Sequence, residues 1–216
     1  MKIITNTAIS LDGKISTRKS ELIKLGSQVD TDRMSMIRAQ ADAVLVGGNS
    51  FRTWPQPLYP RAEHARHDLL KSPMLNVIVS RTMNFMLSET YLNDRHIRSL
   101  FLTTALNCDG LIPANANVEV LSCKHDITPI WIVELLEARG IKTLLIEAGG
   151  DVLAQFLELN LIDEMYVTLC PKIIGGDAAP SLVQGHGFAD GKLPQLKLLN
   201  SDVVHDEIFL HYGVKS

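Results

Sequence analysis

Apolar runs of strand length recur along the chain and alternate with segments of helical periodicity, and this alternation constrains the fold most strongly. Several runs are apolar at nearly every position, which is typical of strands buried on both faces of a sheet. The runs are IITNTAIS near 3–10, AVLVGG from Ala43, LNVIVS from Leu75, RSLFLTT from Arg98, VEVLS from Val118, TLLIEAGG from Thr143 and EMYVTLCP from Glu164. Strands that alternate with helices predict an α/β fold whose sheet is mixed but mainly parallel and is flanked by helices.

Helix start and stop signals separate these strands. One amphipathic segment covers residues 30–41. A second has Thr128 as its N-cap, proline in its first position and Gly140 at its end. A third follows Gly150, and Asn160 is its candidate left-handed cap.

The C-terminus breaks the alternation. LKLLNSDVV and EIFLHYGV, joined through residues 205–206, predict a hairpin that adds antiparallel strands to the edge of the sheet. No repeat or linker divides the chain, so we expect a single domain over 1–216. Residues 52–74 are rich in proline and charge and predict a long loop.

Composition excludes several classes of partner. The 216 residues are 46% hydrophobic and carry a net charge of −3, so neither nucleic acid nor an anionic membrane is expected as a partner. The chain has no signal-peptide pattern and no membrane-spanning apolar run. Its three cysteines form no close pair, which favours a reducing, cytoplasmic location. His64 and His67 lack a third ligand nearby, so no metal is expected.

The stretch IEAGGDVL places a carboxylate and two glycines between an apolar strand and an amphipathic helix. Such a helix N-terminus presents free N–H groups, and glycine lets an anion approach the backbone, which suits a nucleotide diphosphate. The alternative is a tight turn that only needs positive φ. AVLVGGNSF repeats the pattern after another strand, and two such turns facing one crevice would hold the two ends of a dinucleotide. A third pair, in CPKIIGGD, is expected to shape a loop.

Five stretches in order resemble the dihydrofolate-reductase-like superfamily and, within it, the pyrimidine reductase domain of riboflavin biosynthesis. They are SLDGKIS at 10–16, IRAQADAVLVGGNS at 37–50, PLYPR at 57–61, IEAGGDVLAQFL at 146–157 and LIDEMYVTLCPKIIGGD at 161–177. The resemblance implies the three-layer dihydrofolate-reductase-like fold, NADPH as hydride donor, a homodimer, and reduction of a phosphoribosylamino-pyrimidine to its ribityl form. The chain lacks the zinc deaminase signature found beside this domain in many bacterial members, so a reductase without a deaminase domain is expected.

The resemblance also implies residue roles. Its cofactor-binding positions are Ala8, Ser50, Ser80, Arg81, Gly149, Gly150, Asp151, Val152 and Leu153, of which Ser80 and Arg81 match the place where the family reads the adenosine 2′-phosphate. Its substrate-binding positions are Ser20, Arg38, Leu58, Arg61 and Glu147. The segment after SLDGK departs from the family because it lacks a common Trp. Residues 54–55 are TrpPro where many members have AspAsp, so the resemblance implies no role for the positions just before Leu58.

Three side chains are candidates for moving the proton that must accompany the hydride: Asp12, Lys14 and Glu147. For Asp12 the alternative is that its carboxylate only fixes the Asp-Gly turn. For Lys14 the alternative is a surface charge.

Two other functions stay open at this point. Dihydrofolate reductases carry a carboxylate on their first helix, and Asp30 and Asp32 lie near that place, so a dihydrofolate or pteridine reductase is one alternative. We interpret both residues instead as first-turn acids that complement the helix dipole, with Ser27 as a possible cap. The other alternative is a nucleotide-binding module without catalysis.

Overall fold

The computed structural model describes residues 1–19, 23–64, 73–88, 91, 94, 96–104, 117–189 and 191–215. The strands in these ranges are β1 (Lys2–Ser10), β2 (Ala43–Gly47), β3 (Leu75–Ser80), β4 (Arg98–Thr103), β5 (Val118–Ser122), β6 (Thr143–Ile146), β7 (Glu164–Cys170), β8 (Gln195–Val204) and β9 (Glu207–Lys215). The helices that lie wholly within the same ranges are α1 (Gln28–Arg38), α2 (Gly48–Thr53), α3 (Pro129–Ala138) and α4 (Gly150–Glu158).

The strands form one mixed sheet in the order β5-β4-β3-β2-β6-β1-β7-β9-β8. Strands β2 to β5 pair in parallel, as do β1 and β7, whereas β7–β9 and β9–β8 are antiparallel. Each of the seven apolar runs is a strand, and the C-terminal hairpin lies at the end of the order. The predicted α/β class, with a mainly parallel sheet and an antiparallel hairpin, is therefore confirmed.

The chain divides into two compact units. The first unit comprises Met1 and residues 35–145, and the second comprises residues 2–34 and 146–216. In the first unit every residue of β2 is buried, and Val77 and Leu100 of the next two strands are 0% exposed. Continuous burial of this kind explains why the strands are apolar throughout rather than alternating.

An aromatic cluster fixes α2 within the first unit. The Phe51 ring on this helix meets Phe85, Tyr91 and Phe101 edge-on, at centroid distances of 5.2, 5.9 and 5.6 Å. The Tyr91 hydroxyl forms a 2.6 Å hydrogen bond with the buried Ser99, so the one polar group of the cluster has its partner. The short helix therefore has a fixed position after β2.

Three of the helix caps that the sequence predicted are present in the structure. The Thr128 hydroxyl accepts the Trp131 N–H at the start of α3, and Gly140 after that helix has a φ of 80°. Asn160 follows α4 with a φ of 52°. These three cap predictions are confirmed. Helix α1 begins and ends earlier than the predicted 30–41, because a turn of tighter hydrogen bonds at residues 40–41 leads into β2.

The predicted long loop at 52–74 is shorter than expected at its start, because α2 extends through Thr53. Residues 54–64 have no helix or strand, and the rest of that loop up to residue 72 lies outside the described ranges. Cys123 and Cys170 are free thiols, and Cys108 lies outside the described ranges. None of the helices in those ranges is long and apolar enough to cross a membrane.

Candidate functional site

Gly149 occupies the N-cap of α4 in the second unit. Its φ is −67° and its ψ is 165°, an extended conformation that any residue adopts, and no side chain caps the helix. A Cβ atom built on Gly149 would have no heavy atom within 4 Å. The interpretation of this glycine pair as a turn that needs positive φ is therefore wrong. Neither the backbone nor the packing of the described chain requires glycine at this position.

Gly150 is a glycine for a different reason. A Cβ atom here would lie 2.5 Å from the Ser181 carbonyl oxygen and 2.9 Å from the Gln184 nitrogen. The Gln184 N–H also donates to the Gly150 carbonyl over 3.2 Å. The backbone of residues 181–184 thus packs directly against the first residue of α4, and this approach leaves no room for a side chain.

The next three residues differ in how they are placed. Asp151 is exposed, Val152 is half-buried, and the Leu153 side chain is 1% exposed and belongs to the core. The N–H groups of Val152 and Leu153 both donate to the Gly149 carbonyl, over 3.1 and 3.2 Å. A ligand at this helix start would meet the backbone and Asp151 rather than the Leu153 side chain.

The Asp12 carboxylate is surrounded by donors. Oδ1 accepts the Ser10 hydroxyl at 2.6 Å and the Ile174 N–H at 3.1 Å, and Oδ2 accepts the Gly175 N–H at 2.7 Å. These bonds, led by that of Ser10, lower the pKa of Asp12 to about 2. Gly175 has a φ of 69°, so the third glycine pair shapes a loop as expected. The contacts favour the turn-fixing alternative for Asp12 over proton donation.

Lys14 lies in the same set of contacts. Its backbone forms an isolated antiparallel bridge with Ser181, and the Leu182 N–H donates to the Gly13 carbonyl over 3.1 Å. Residues 10–15 are therefore tied to the segment 174–184, and that segment packs on Gly150. The Lys14 side chain is half-buried.

Two carboxyl groups meet behind the N-terminus of α1. Glu207, 4% exposed at the start of β9, accepts the Ser27 N–H at 2.7 Å and the Ser27 hydroxyl at 2.6 Å. Ser27 in turn caps α1, because its hydroxyl accepts the Val29 N–H at 3.1 Å. A Cβ on Gly26 would overlap the Asp30 carboxylate, which therefore fills the space beside that glycine.

The surroundings of Asp30 raise the pKa of its carboxyl group. Burial raises its pKa, and the charges of Glu207 and Glu147 raise it further, against a hydrogen bond from Thr168 and the charge of Arg33. Thr168 lies opposite Ala8 in the paired strands β7 and β1. Sequence reasoning favoured a dipole role for Asp30 over that of the first-helix carboxylate of dihydrofolate reductases, and it gave no sign of Glu207, since nothing local links residue 30 to residue 207. Asp32 accepts the Gln28 amide at 3.1 Å on the exposed side of the helix.

The first unit contains the other predicted cofactor positions. A Cβ on Gly48 would lie 2.6 Å from the Ser80 Cβ, so the second glycine turn is packed against the end of β3. Ser80 is buried and its hydroxyl donates to the Thr82 carbonyl over 2.7 Å, whereas Ser50 and Arg81 are exposed. The two glycine turns lie in different units, so their sharing one crevice stays a prediction.

Buried polar side chains also fix the backbone of the predicted substrate positions. The Leu58 N–H donates to Asn76 Oδ1 over 2.7 Å, and the Arg61 N–H donates to the Ser35 hydroxyl over 2.8 Å. Arg38 is half-buried at the end of α1. Ser20 lies outside the described ranges. Among the residues that the structure describes, no group of three or more His, Cys, Asp or Glu could hold a metal ion.

We expect Asp30→Asn to change the pH dependence of stability. Because the pKa of the Asp30 carboxyl is raised in the folded state, its protonated form stabilises the fold at pH values below the pKa of the unfolded chain. This stabilisation is lost as pH rises through the pKa of the folded state. Asn cannot ionise, so the stability of the variant relative to the natural protein should increase as pH rises above about 4, the usual pKa of an aspartate, and level off above the folded pKa. Denaturant unfolding at several pH values measures this difference. Asp32→Asn is the matched control, and a pH-independent difference for Asp30→Asn would contradict the assignment.

Comparison with known proteins places this geometry in a family. The model of the family described as "RibD C-terminal domain" matches residues 1–210. The chain is 30% identical over 184 residues to riboflavin biosynthesis protein RibD of Synechocystis, which covers 84% of this chain but only 48% of that protein. It is 27% identical over 192 residues to 2,5-diamino-6-ribosylamino-4(3H)-pyrimidinone 5′-phosphate reductase of Archaeoglobus fulgidus, covering 86% of this chain and 87% of that one.

Solved structures agree on the fold. RibD of Acinetobacter baumannii superposes with a TM-score of 0.81 at 22% identity, covering 100% of this chain and 58% of that one. Dihydrofolate reductase of Enterococcus faecalis superposes with a TM-score of 0.56 at 12% identity, covering 100% and 97%. The family model spans nearly the whole sequence, and the chain belongs to the RibD C-terminal domain family.

Proposed function

We propose that residues 1–216 form a single reductase domain of riboflavin biosynthesis that acts in the cytoplasm. It uses NADPH to reduce the ribosyl side chain of a phosphoribosylamino-pyrimidine to a ribityl chain. The observation that carries the proposal is Gly149, where neither the backbone nor the packing requires glycine and where a helix N-terminus has no side-chain cap. The reductase names of relatives such as the Archaeoglobus fulgidus protein support the reaction.

The N-terminus of α4 fits the cofactor's pyrophosphate. The N–H groups of its first two residues, Gly150 and Asp151, have no acceptor within the helix, whereas those of Val152 and Leu153 already donate to the Gly149 carbonyl. An anion on the helix axis is stabilised by the dipole. The bare face of Gly149 leaves space for the phosphate oxygens to approach the backbone. The backbone of residues 150–153 completes this binding site. The packing of Gly150 on residues 181–184 fixes the conformation of the site. When bound, the nicotinamide supplies the hydride, and the protein supplies position and a proton.

Glu147 and Asp30 are the residues that we assign to the proton. Glu147 directly follows β6, and its charge acts on Asp30. Asp30 retains a proton to higher pH than an ordinary carboxyl group, so it is suited to donate one. Asp12 is unsuited because its carboxylate stays ionised and its oxygens already accept three hydrogen bonds.

Arg38, Leu58 and Arg61 are the positions that we assign to the substrate. Guanidinium groups suit the substrate phosphate because they form charge-assisted, bidentate hydrogen bonds. The buried Ser35 and Asn76 hold the backbone at Arg61 and Leu58, so these side chains start from fixed positions. Fixed starting points reduce the entropy that binding would otherwise cost.

One assay separates the proposed reaction from its main alternative. Oxidation of NADPH is followed with the phosphoribosylamino-pyrimidine, with dihydrofolate, and with neither. We expect turnover only with the first. The raised pKa of Asp30 on the first helix favours dihydrofolate as the second candidate, and turnover with dihydrofolate alone would establish that alternative instead.

Gly149→Val tests the cofactor cradle. The valine Cβ has free space in the protein, and φ is unstrained, so the variant should fold with a melting temperature close to that of the natural protein. The side chain should occupy the phosphate's place and weaken NADPH binding by about tenfold or more, measured by calorimetric titration. Gly149→Ala should give a smaller loss. Unchanged NADPH affinity in folded Gly149→Val would show that no ligand uses this face.

Glu147→Gln tests the proton assignment. Gln keeps the shape of the side chain but cannot transfer a proton, so kcat should fall by about 10² while NADPH affinity is retained. A change confined to KM would instead make Glu147 a substrate-binding residue. Full kcat and KM, or a defect mainly in NADPH binding, would count against a role at the reacting centre.

We also propose that the protein is a homodimer that pairs through β8. This edge strand exposes Leu196, Leu198, Leu199 and Val203 at 43, 50, 47 and 71%. An exposed apolar edge is a template for association unless another chain covers it. Leu198→Asp should yield a monomer in sedimentation velocity, whereas Ile130→Asp, at a similarly exposed position of α3, should not. A dimer that survives Leu198→Asp combined with Val203→Asp would place the interface elsewhere.

A further inference from the structure

Arg52 makes an unusually complete set of hydrogen bonds on the last turn of α2. Nε donates to Asn84 Oδ1 and Nη1 donates to Asn49 Oδ1, both over 3.0 Å. Nη2 donates to the Ser80 hydroxyl over 2.9 Å, to the Thr82 carbonyl over 3.2 Å and to the Thr82 hydroxyl. The guanidinium group is therefore held in one place just beyond the carboxyl end of β3.

All of these partners are neutral. The face of the guanidinium lies over the Phe85 ring at 5.0 Å from its centroid, and no carboxylate in the described ranges forms an ion pair with Arg52. Arg52 thus contributes a fixed positive charge that no carboxylate of the described residues compensates. Ligands of parallel α/β sheets bind outside the carboxyl ends of the strands, which is where this charge lies.

The bonds of Nη2 also hold the chain on both sides of Arg81. Ser80 precedes Arg81 and Thr82 follows it, and the same nitrogen binds both residues. Arg81 itself is exposed. A flexible arginine on a fixed backbone loses less entropy when it binds a phosphate than one on a mobile loop.

We infer that Arg52 is a specificity-determining residue for the cofactor's adenosine 2′-phosphate. It acts directly as a fixed positive charge and indirectly by positioning Arg81 between Ser80 and Thr82. This inference rests on the proposed use of NADPH. A phosphate dianion compensates the charge that the neutral partners leave, and a free 2′-hydroxyl does not, so Arg52 favours NADPH over NADH.

Binding of two fragments tests the inference without turnover. Adenosine 2′,5′-bisphosphate carries the 2′-phosphate and adenosine 5′-monophosphate lacks it, and calorimetric titration gives their ratio of affinities. Arg52→Gln should reduce this ratio by about tenfold or more, the scale of a charge-assisted hydrogen bond, while affinity for the monophosphate stays within about twofold. Arg52→Lys keeps the charge without the fork of donors, so we expect a partial loss.

A double-substitution cycle with Arg81→Gln separates the two effects. If Arg52 positions Arg81, the combined variant should lose less selectivity than the product of the single losses. An unchanged ratio in Arg52→Gln, or equal loss of both fragments, would overturn the inference, and fully multiplicative losses would overturn its positioning part. If the natural protein binds NADPH but Arg52→Gln is as selective, only this inference fails. If the natural protein does not bind NADPH, the proposed function fails with it.

Discussion

The close approach of residues 181–184 to Gly150 is the contact on which the site of the second unit depends. A carbonyl oxygen and an amide nitrogen occupy the space that any side chain at this position would need. The same segment pairs with Lys14 and is continuous with the loop that donates two N–H groups to Asp12. The start of α4 is therefore enclosed by backbone on one side, and Gly149 remains bare on the other. Rigid support on one side suits the bare side to the anion site that we propose there.

Glu207 and Asp30, the two carboxyl groups near the start of α1, differ in their hydrogen-bond partners. Glu207 is buried and receives an N–H and an O–H from Ser27, so its negative charge is satisfied where it lies. Asp30 receives one hydroxyl and faces two other acids, so ionisation there is opposed. Burial, together with the neighbouring charge of Glu207, therefore raises the pKa of Asp30 above that of an ordinary carboxyl group.

Sequence patterns identified the elements better than the contacts between them. Strands such as β2 are apolar at every position because both faces are buried, and the signals at Thr128, Gly140 and Asn160 act within one turn. The bond from Ser27 to Glu207 spans 180 residues, and no local pattern encodes it. The sequence also did not show that packing excludes a side chain at Gly150 but not at Gly149, because the packing at Gly150 involves a segment more than 30 residues later.

Both units have a pair of glycines where a strand leads into a helix, but the second glycine of each pair makes a different contact. In both, a buried glycine opens the helix after an apolar strand, with an extended glycine before it and no side-chain cap. Gly48 admits the Ser80 side chain, and Gly150 admits the backbone of residues 181–184. Around Ser80 the polar groups satisfy one another through Arg52, whereas the charges that act on Asp30 in the second unit are those of Glu207, Arg33 and Glu147. Changes in the Arg52 cluster should therefore alter which nucleotide is preferred without altering the protonation of Asp30, because the charges that act on Asp30 all come from the second unit.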